Sequence, residues 1–184
     1  MADKLAAFLA IDITTTELAL AVRSETGDED FARTAMRDRR EWRGDARYPG
    51  FDLDPLPGMI ADLLDALADR GWSFARPDSD PGFVSVACRQ HDLVLLDAAS
   101  RPLAPAITWQ CNAADQETRE LRAAGVESSV GPLAPRFVLP KLLHMLRVEP
   151  ALRTAVRHVM LTGDWVAYSL TGTASLAKSD ALSN

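Results

Sequence analysis

The stretch from Leu5 to Arg23, LAAFLAIDITTTELALAVR, admits few folds. An apolar run from Leu5 to Ile11 delivers one carboxylate, Asp12, into a polar bend made by Thr14, Thr15 and Thr16. Leu18, Leu20 and Val22 then alternate with other residues. A continuous apolar run followed by a period-two pattern predicts a buried strand, a tight turn and a half-exposed second strand. An acid at the mouth of such a hairpin, followed by hydroxyls and backbone N–H groups, can hold a hydrated divalent cation and a phosphate. The same residues also suit an ordinary hairpin, because Asp and Thr make turns and Thr favours strands. Both readings stand on the sequence.

Downstream, Phe31 to Trp42 is charged with spaced apolar residues and predicts a third, more exposed strand. Arg43 to Gly58 is full of Pro, Gly and Asp and predicts a loop. Leu56, Met59, Ile60, Leu63, Leu64 and Leu67 recur at helical spacing, in a helix ending at Gly71. Phe83–Cys88 and Leu93–Leu96 read as two buried strands, the second closed by a turn from Asp97 to Arg101. Ala104 to Trp109 is a short extended piece, and Ala113 to Ala124 a helix stopped by Gly125. Pro140 suits the first turn of a helix holding Leu142, Leu143, Met145 and Leu146. A short helix from Pro150, a strand at Val156–Leu161, and a helix capped by Thr162 and stopped at Gly172 complete the pattern. Three early strands, then strands alternating with helices, predict an α/β domain with a mixed sheet.

At 184 residues the chain has room for a real core in one domain. A net charge of −6, with no segment rich in Lys and Arg, speaks against nonspecific nucleic-acid binding. No apolar run reaches membrane-spanning length, and Leu5 to Ile11 is too short for a signal peptide. Cys88 and Cys111 match neither a disulfide framework nor a zinc spacing, which predicts a reducing cytoplasm.

Polar residues interrupt the apolar pattern at a few places. Arg89, Gln90, His91 and Asp92 lie between two predicted strands, the usual place for a site in an α/β domain. A strand-edge turn with a satisfied histidine fits them as well. Trp109 suits either a sugar-stacking face or the core. His144, on an amphipathic helix, and His158, at a strand start, read as structural. Asp164 reads as a helix N-terminal acid and Asp180 as a solvated tail residue. The sequence carries no nucleophile elbow, Walker lysine loop, dinucleotide fingerprint or metal-ligand cluster.

Taken in order, these segments resemble the N-terminal domain of the FGGY carbohydrate kinases. AIDITTTELAL looks like the family's opening phosphate-and-metal hairpin. RQHDLVLLDAASRPLAPAITWQ is similar to the xylulokinase-like stretch that pairs a sugar-contacting His with a tryptophan. RFVLPKLLHMLRVEP, LTGDWVAYSLTG and KSDALSN resemble three further family segments in register. The resemblance implies a ribonuclease H-like domain of the actin-type ATPase superfamily, a mixed sheet flanked by helices, over residues 1–184. It implies ATP and Mg2+ as cofactors and a sugar or polyol as substrate. Carried over residue by residue, Asp12 would position the metal and phosphate, with Thr14, Thr15 and Thr16 as the rest of the phosphate hairpin. Gln90, His91 and Trp109 would contact the sugar, with Arg136 and Phe137 as neighbours.

Three departures from the family pattern bear on function. Thr14 stands where the family has Gly, so a Cβ should crowd the loop. Cys111 and Ala113 replace the usual Asp and Arg after the tryptophan, which alters the hydroxyls that can be read. The sequence stops at Asn184, short of the family's second, C-terminal kinase domain with its adenosine-binding segment and catalytic Asp base. On that expectation the base lies beyond Asn184 and the chain alone does not catalyse. Two other readings remain: a degenerate, non-catalytic module that binds a sugar or a partner, and a ribonuclease H-like nuclease. The nuclease needs several carboxylates on neighbouring strands, whereas only Asp12 ends a strand in this pattern.

Overall fold

The hairpin around Asp12 forms in a computed structural model that describes residues 4–36, 39–76 and 82–176, but its first strand, expected to be buried, is half-exposed, with Leu5 and Phe8 open to solvent. The segment KSDALSN, with Asp180, lies outside the described residues. The elements run β1 (Lys4–Ile13), β2 (Glu17–Ser24), β3 (Glu29–Ala35), β4 (Arg39–Glu41), β5 (Pro49–Phe51), α1 (Leu56–Ala68), β6 (Trp72–Ser73) and β7 (Phe83–Cys88). There follow β8 (Val94–Leu96), β9 (Ala106–Ile107), α2 (Asp115–Ala123), α3 (Glu127–Val130), α4 (Val138–Val148), α5 (Leu152–Ala155), β10 (His158–Met160) and α6 (Thr162–Thr171). They group into two compact units, one of Met1–Arg37 with Asp54–Cys88, the other of Asp38–Leu53 with Arg89–Asn184.

In the first unit, β1, β2 and β3 form an antiparallel ladder, and β6 and β7 both pair parallel to β1. This is the mixed sheet that the element order predicts. The two-residue period puts Ile11, Ile13, Leu18, Leu20, Val22 and Ala32 on one face, where all are buried. Helix α1 packs on β2, β3 and β6 and buries Leu56, Ile60, Leu63 and Leu67. Each such leucine or isoleucine contributes about 1.5–3 kcal/mol relative to exposure. Gly71 follows α1 at φ 87°, a conformation that suits glycine.

The opposite face of this sheet differs from expectation. Phe83–Cys88 forms a strand, but not a buried one: Phe83 and Val84 are exposed. Among the described strands β7 pairs with β1 alone, so it is an edge, and its apolar run faces outward. Phe8 and Phe31 share the exposure, and the Phe8 and Phe83 rings stack with centroids 5.6 Å apart. The residues around them line a shallow depression of about 610 Å³.

The second unit is built from short pieces. β4, β5 and β9 form one small antiparallel sheet, and β8 pairs with β10. Two sequence expectations change in this part of the chain. The single strand expected over Phe31–Trp42 is two strands, β3 and β4, in different sheets. The expected loop Arg43–Gly58 holds β5, because Tyr48, Phe51 and Leu53 carry enough apolar surface to be buried despite the flanking turn residues. Gly50 is required by packing there, since a Cβ would stand 2.6 Å from the Ala106 carbonyl oxygen of β9. Trp42, Tyr48, Leu93, Leu95, Ile107, Cys111, Met145 and Leu152 make the core of this unit. The turn after β8 forms as predicted, with the Asp97 carboxylate accepting from the Ala99 and Arg101 amides. Those bonds hold its pKa below the ordinary carboxylate value.

Candidate functional site

Asp12 is the penultimate residue of β1, in register with Ala19 of β2 and Ala87 of β7. The strand period that buries Ile11 and Ile13 turns Asp12 to the exposed side. Its carboxylate makes no hydrogen bond or ion pair with a described residue. The Thr15 and Thr16 hydroxyls likewise have no protein partner among the described residues.

Thr14 behaves otherwise. Its Oγ1 donates to the Glu17 carbonyl at 3.1 Å and accepts from the Thr16 and Glu17 amides at 3.3 and 3.0 Å. This is the local turn chemistry that Thr side chains provide. Two backbone N–H groups that the sequence offered to a phosphate are therefore engaged within the turn. Among the described residues no group of three or more His, Cys, Asp or Glu is placed to hold a metal by itself. A magnesium ion fits Asp12 on other terms: Mg2+ binds through one or two carboxylates, its own waters and phosphate oxygens. Asp12 and the Thr15 and Thr16 hydroxyls are the residues that would hold it with a nucleotide.

In the second unit the structure brings His91, Phe137 and Arg136 together, and ties Trp109 to them through the backbone: its amide donates to Asp92, and the Thr108 carbonyl before it shares the Lys141 ammonium with the His91 carbonyl. His91 lies in the turn before β8 with φ 65°, a left-handed conformation unfavourable for a residue with a Cβ. Its imidazole stacks on the Phe137 ring, centroids 4.4 Å apart at 25°. The Arg136 guanidinium stands 5.6 Å from the other ring of that pair, Phe137. Phe137 is the N-cap residue of α4. Trp109 is 41% exposed, so the core reading of its indole gives way to a surface one. Gln90 is exposed beside His91.

What fixes these residues is buried, polar and mostly missed by the sequence reading. Asp92 is fully buried. Its Oδ1 accepts from the Trp109 amide at 3.1 Å, and its Oδ2 from Arg89 Nε and Thr162 Oγ1 at 3.0 and 3.1 Å. Arg89, itself nearly buried, lies on the Phe51 ring at 4.6 Å. Thr162 is thus no helix cap: the residue capping α6 is Leu161, and the acid at the helix start, Asp164, accepts from its amide. Lys141, 1% exposed, donates from Nζ to the carbonyl oxygens of His91, Ile107 and Thr108. Burial pulls its ammonium down to about 8, against the opposing attraction of Asp92. One signal was available for Lys141. Val138, Lys141, Leu142 and Met145 share the inward stripe of α4, and a lysine there must find acceptors or stay out.

The remaining candidates resolve as structural. Tyr48 Oη lies 3.0 Å from His144 Nε2, whose Nδ1 lies 3.2 Å from the buried Glu117. His144 therefore ties α2 to α4 from within the packing. Cys111 is buried in the core, where desolvation pushes its thiol pKa up; its side chain is a packing element there.

Residues 7–183 match the model of the FGGY family of carbohydrate kinases, N-terminal domain. The chain is similar to the xylulose kinase of Escherichia coli K12, with 35% identity over 101 residues, 53% of this chain and 21% of that protein. It is 26% identical over 179 residues to the xylulose kinase of Lactococcus lactis IL1403, covering 94% of this chain and 34% of the other. Its fold superposes on the crystal structure of xylulose kinase from Rhodospirillum rubrum with a TM-score of 0.80. That likeness has 22% identity and covers 95% of this chain and 36% of that one. The chain thus spans between about a fifth and a little over a third of the length of these relatives.

Proposed function

The chain belongs to the FGGY family of carbohydrate kinases, whose fold is the ribonuclease H-like, actin-type one, and on that premise we propose that residues 1–184 are its N-terminal, sugar-side domain. The reaction is transfer of the γ-phosphoryl group of ATP to a hydroxyl of a sugar or polyol. The observation that carries this reading is the stack of the His91 imidazole on the Phe137 ring, with the half-exposed Trp109 tied to the same turn through the Asp92 carboxylate. Sugars offer apolar C–H faces to aromatic rings and hydroxyls to an imidazole or an amide. Trp109 takes such a face, His91 and Gln90 take hydroxyls, and Arg136 and Phe137 border them.

Phosphoryl transfer rests on positioning and on stabilising charge, with little covalent work for the protein. Asp12 would hold the cation and Thr15 and Thr16 would donate to phosphate oxygens; magnesium held there with the nucleotide would supply neutralisation of charge on the transferred group. No carboxylate of residues 1–184 receives the base role on this reading. The base and the adenosine site belong to the C-terminal kinase domain, the partner with which this domain works in the cytoplasm. The domain alone binds ligands without turnover.

The second reading, a sugar-binding module without phosphoryl transfer, draws on Thr14, whose hydroxyl occupies two turn amides. A thermal-shift screen of the chain with pentuloses, polyols and Mg-ATP separates the two. The kinase domain is expected to be stabilised by a sugar or polyol, with the shift lost in His91→Ala, and separately by Mg-ATP, with that shift lost in Asp12→Asn. A sugar response with no nucleotide response selects the module. Indifference to every sugar and polyol overturns both.

A further inference from the structure

The proposed reaction uses no group on the inward face of α4, yet that face buries a charge. Replacing a buried charge by an apolar residue of similar volume is often neutral or stabilising. Lys141 therefore calls for a reason beyond packing, and its three acceptors supply one. An ammonium has three donors, and those of Lys141 go to carbonyl oxygens on two separate segments. One acceptor is His91 itself; the others are Ile107 and Thr108, the latter immediately before Trp109.

We propose that Lys141 is a positioning residue for the sugar site, tying the backbone at His91 to the backbone at Trp109 and so setting the spacing of imidazole and indole. The sugar-binding role of those two rings rests on the function proposed above; the tie does not. Three features converge on it. Phe137, the N-cap of α4, stacks on the His91 ring, and Lys141, one turn into the helix, donates to its carbonyl, so the start of one helix grips His91 by its ring and by its carbonyl. The left-handed backbone of His91 persists only where its surroundings over-determine it, and the ammonium supplies that constraint from below. Asp92 repeats the connection through its own contacts, since it follows His91 in sequence and accepts the Trp109 amide. Tie and brace are adjacent, and the carboxylate also offsets the charge of the ammonium and of Arg89.

The test compares two variants of the same helix. Lys141→Met removes the donors and keeps the volume. Met145→Ala opens a cavity in the neighbouring core without touching the three carbonyls. Both are read by thermal melting, by NMR signals of the His91 imidazole and the Trp109 indole and amide, and by titration with the sugar or polyol found active in the screen. In Lys141→Met the His91 and Trp109 signals should move and the sugar Kd should rise on the order of tenfold. Met145→Ala should lower the melting temperature and leave both readouts in place.

Unchanged signals in a folded Lys141→Met, or the same displacement in Met145→Ala, overturn the proposal. Should Lys141→Met not fold, Lys141→Arg, whose larger fork must push the carbonyls apart, is judged by the same criteria. If the wild-type chain binds no sugar, the functional reading fails by itself. The NMR signals of His91 and Trp109 still decide the tie.

Discussion

Asp12 and His91 are both polar residues at the end of a strand or the start of the next, and the chain holds them in opposite ways. Asp12 rides on a regular ladder. Its neighbours Ile11 and Ile13 are buried, its own side chain faces out, and among the described residues no group is spent on the carboxylate. His91 sits in an irregular turn with a left-handed backbone, and its place is defined by Asp92, Lys141 and Phe137. A ladder positions a side chain through many weak, repeated contacts and leaves its polar end for a ligand. A buried charged cluster imposes an unfavourable backbone on one residue, but depends on every member of the cluster. The first arrangement tolerates local damage and the second should not.

The largest effect is therefore expected at Asp92. Asp92→Ala removes an acceptor shared by Arg89, Thr162 and the Trp109 amide and should cost about 3–5 kcal/mol in denaturant unfolding. A loss near that of a surface substitution would break the contrast at its stronger end.

Next in size is a pH effect. In the fold the Lys141 ammonium titrates at about 8, below its ordinary value of 10.5. Between these values the unfolded chain binds more protons, so Lys141 should make stability rise with pH across that window, by about 3 kcal/mol at most. Below pH 8 its contribution is constant. Denaturant melts at pH 7 to 10.5 should show a slope that Lys141→Met abolishes; an equal slope in both would assign it elsewhere.

The smallest effect belongs to the hairpin. Thr14→Ala removes the acceptor of two turn amides and should cost only about 1 kcal/mol. Hydrogen exchange at Thr16 and Glu17 should quicken while β1 and β2 stay protected. Collapse of the whole sheet on this substitution would mean that the turn, and not the ladder, holds Asp12.

The same contrast explains what was legible beforehand. The hairpin, α1 and the helix ends at Gly71, Gly125 and Gly172 follow from periodicity and backbone preference, which are local properties. The cluster around His91 does not. Asp92 looked like one more residue of a polar turn, because nothing in the sequence says that the Trp109 amide comes to meet it. Thr162 looked like a cap because Thr usually is one, and a partner 70 residues away overrode that preference. Phe83 and Val84 looked buried because an apolar run carries no mark of whether its strand lies at an edge. Trp109 stayed open between surface and core for a related reason: composition gives hydrophobicity, and only the three-dimensional arrangement gives exposure.

The torsion of His91 has a practical corollary for anyone seeking a hardier version of this domain. By conformational preference alone, glycine is the better occupant of that turn, and His91→Gly is the sort of exchange a thermostability search would keep. Such a search would raise the melting point by deleting the imidazole that, on the function proposed above, takes a sugar hydroxyl. Robustness and recognition pull against each other at this residue, and a screen that scores heat resistance without ligand would select the loss unnoticed.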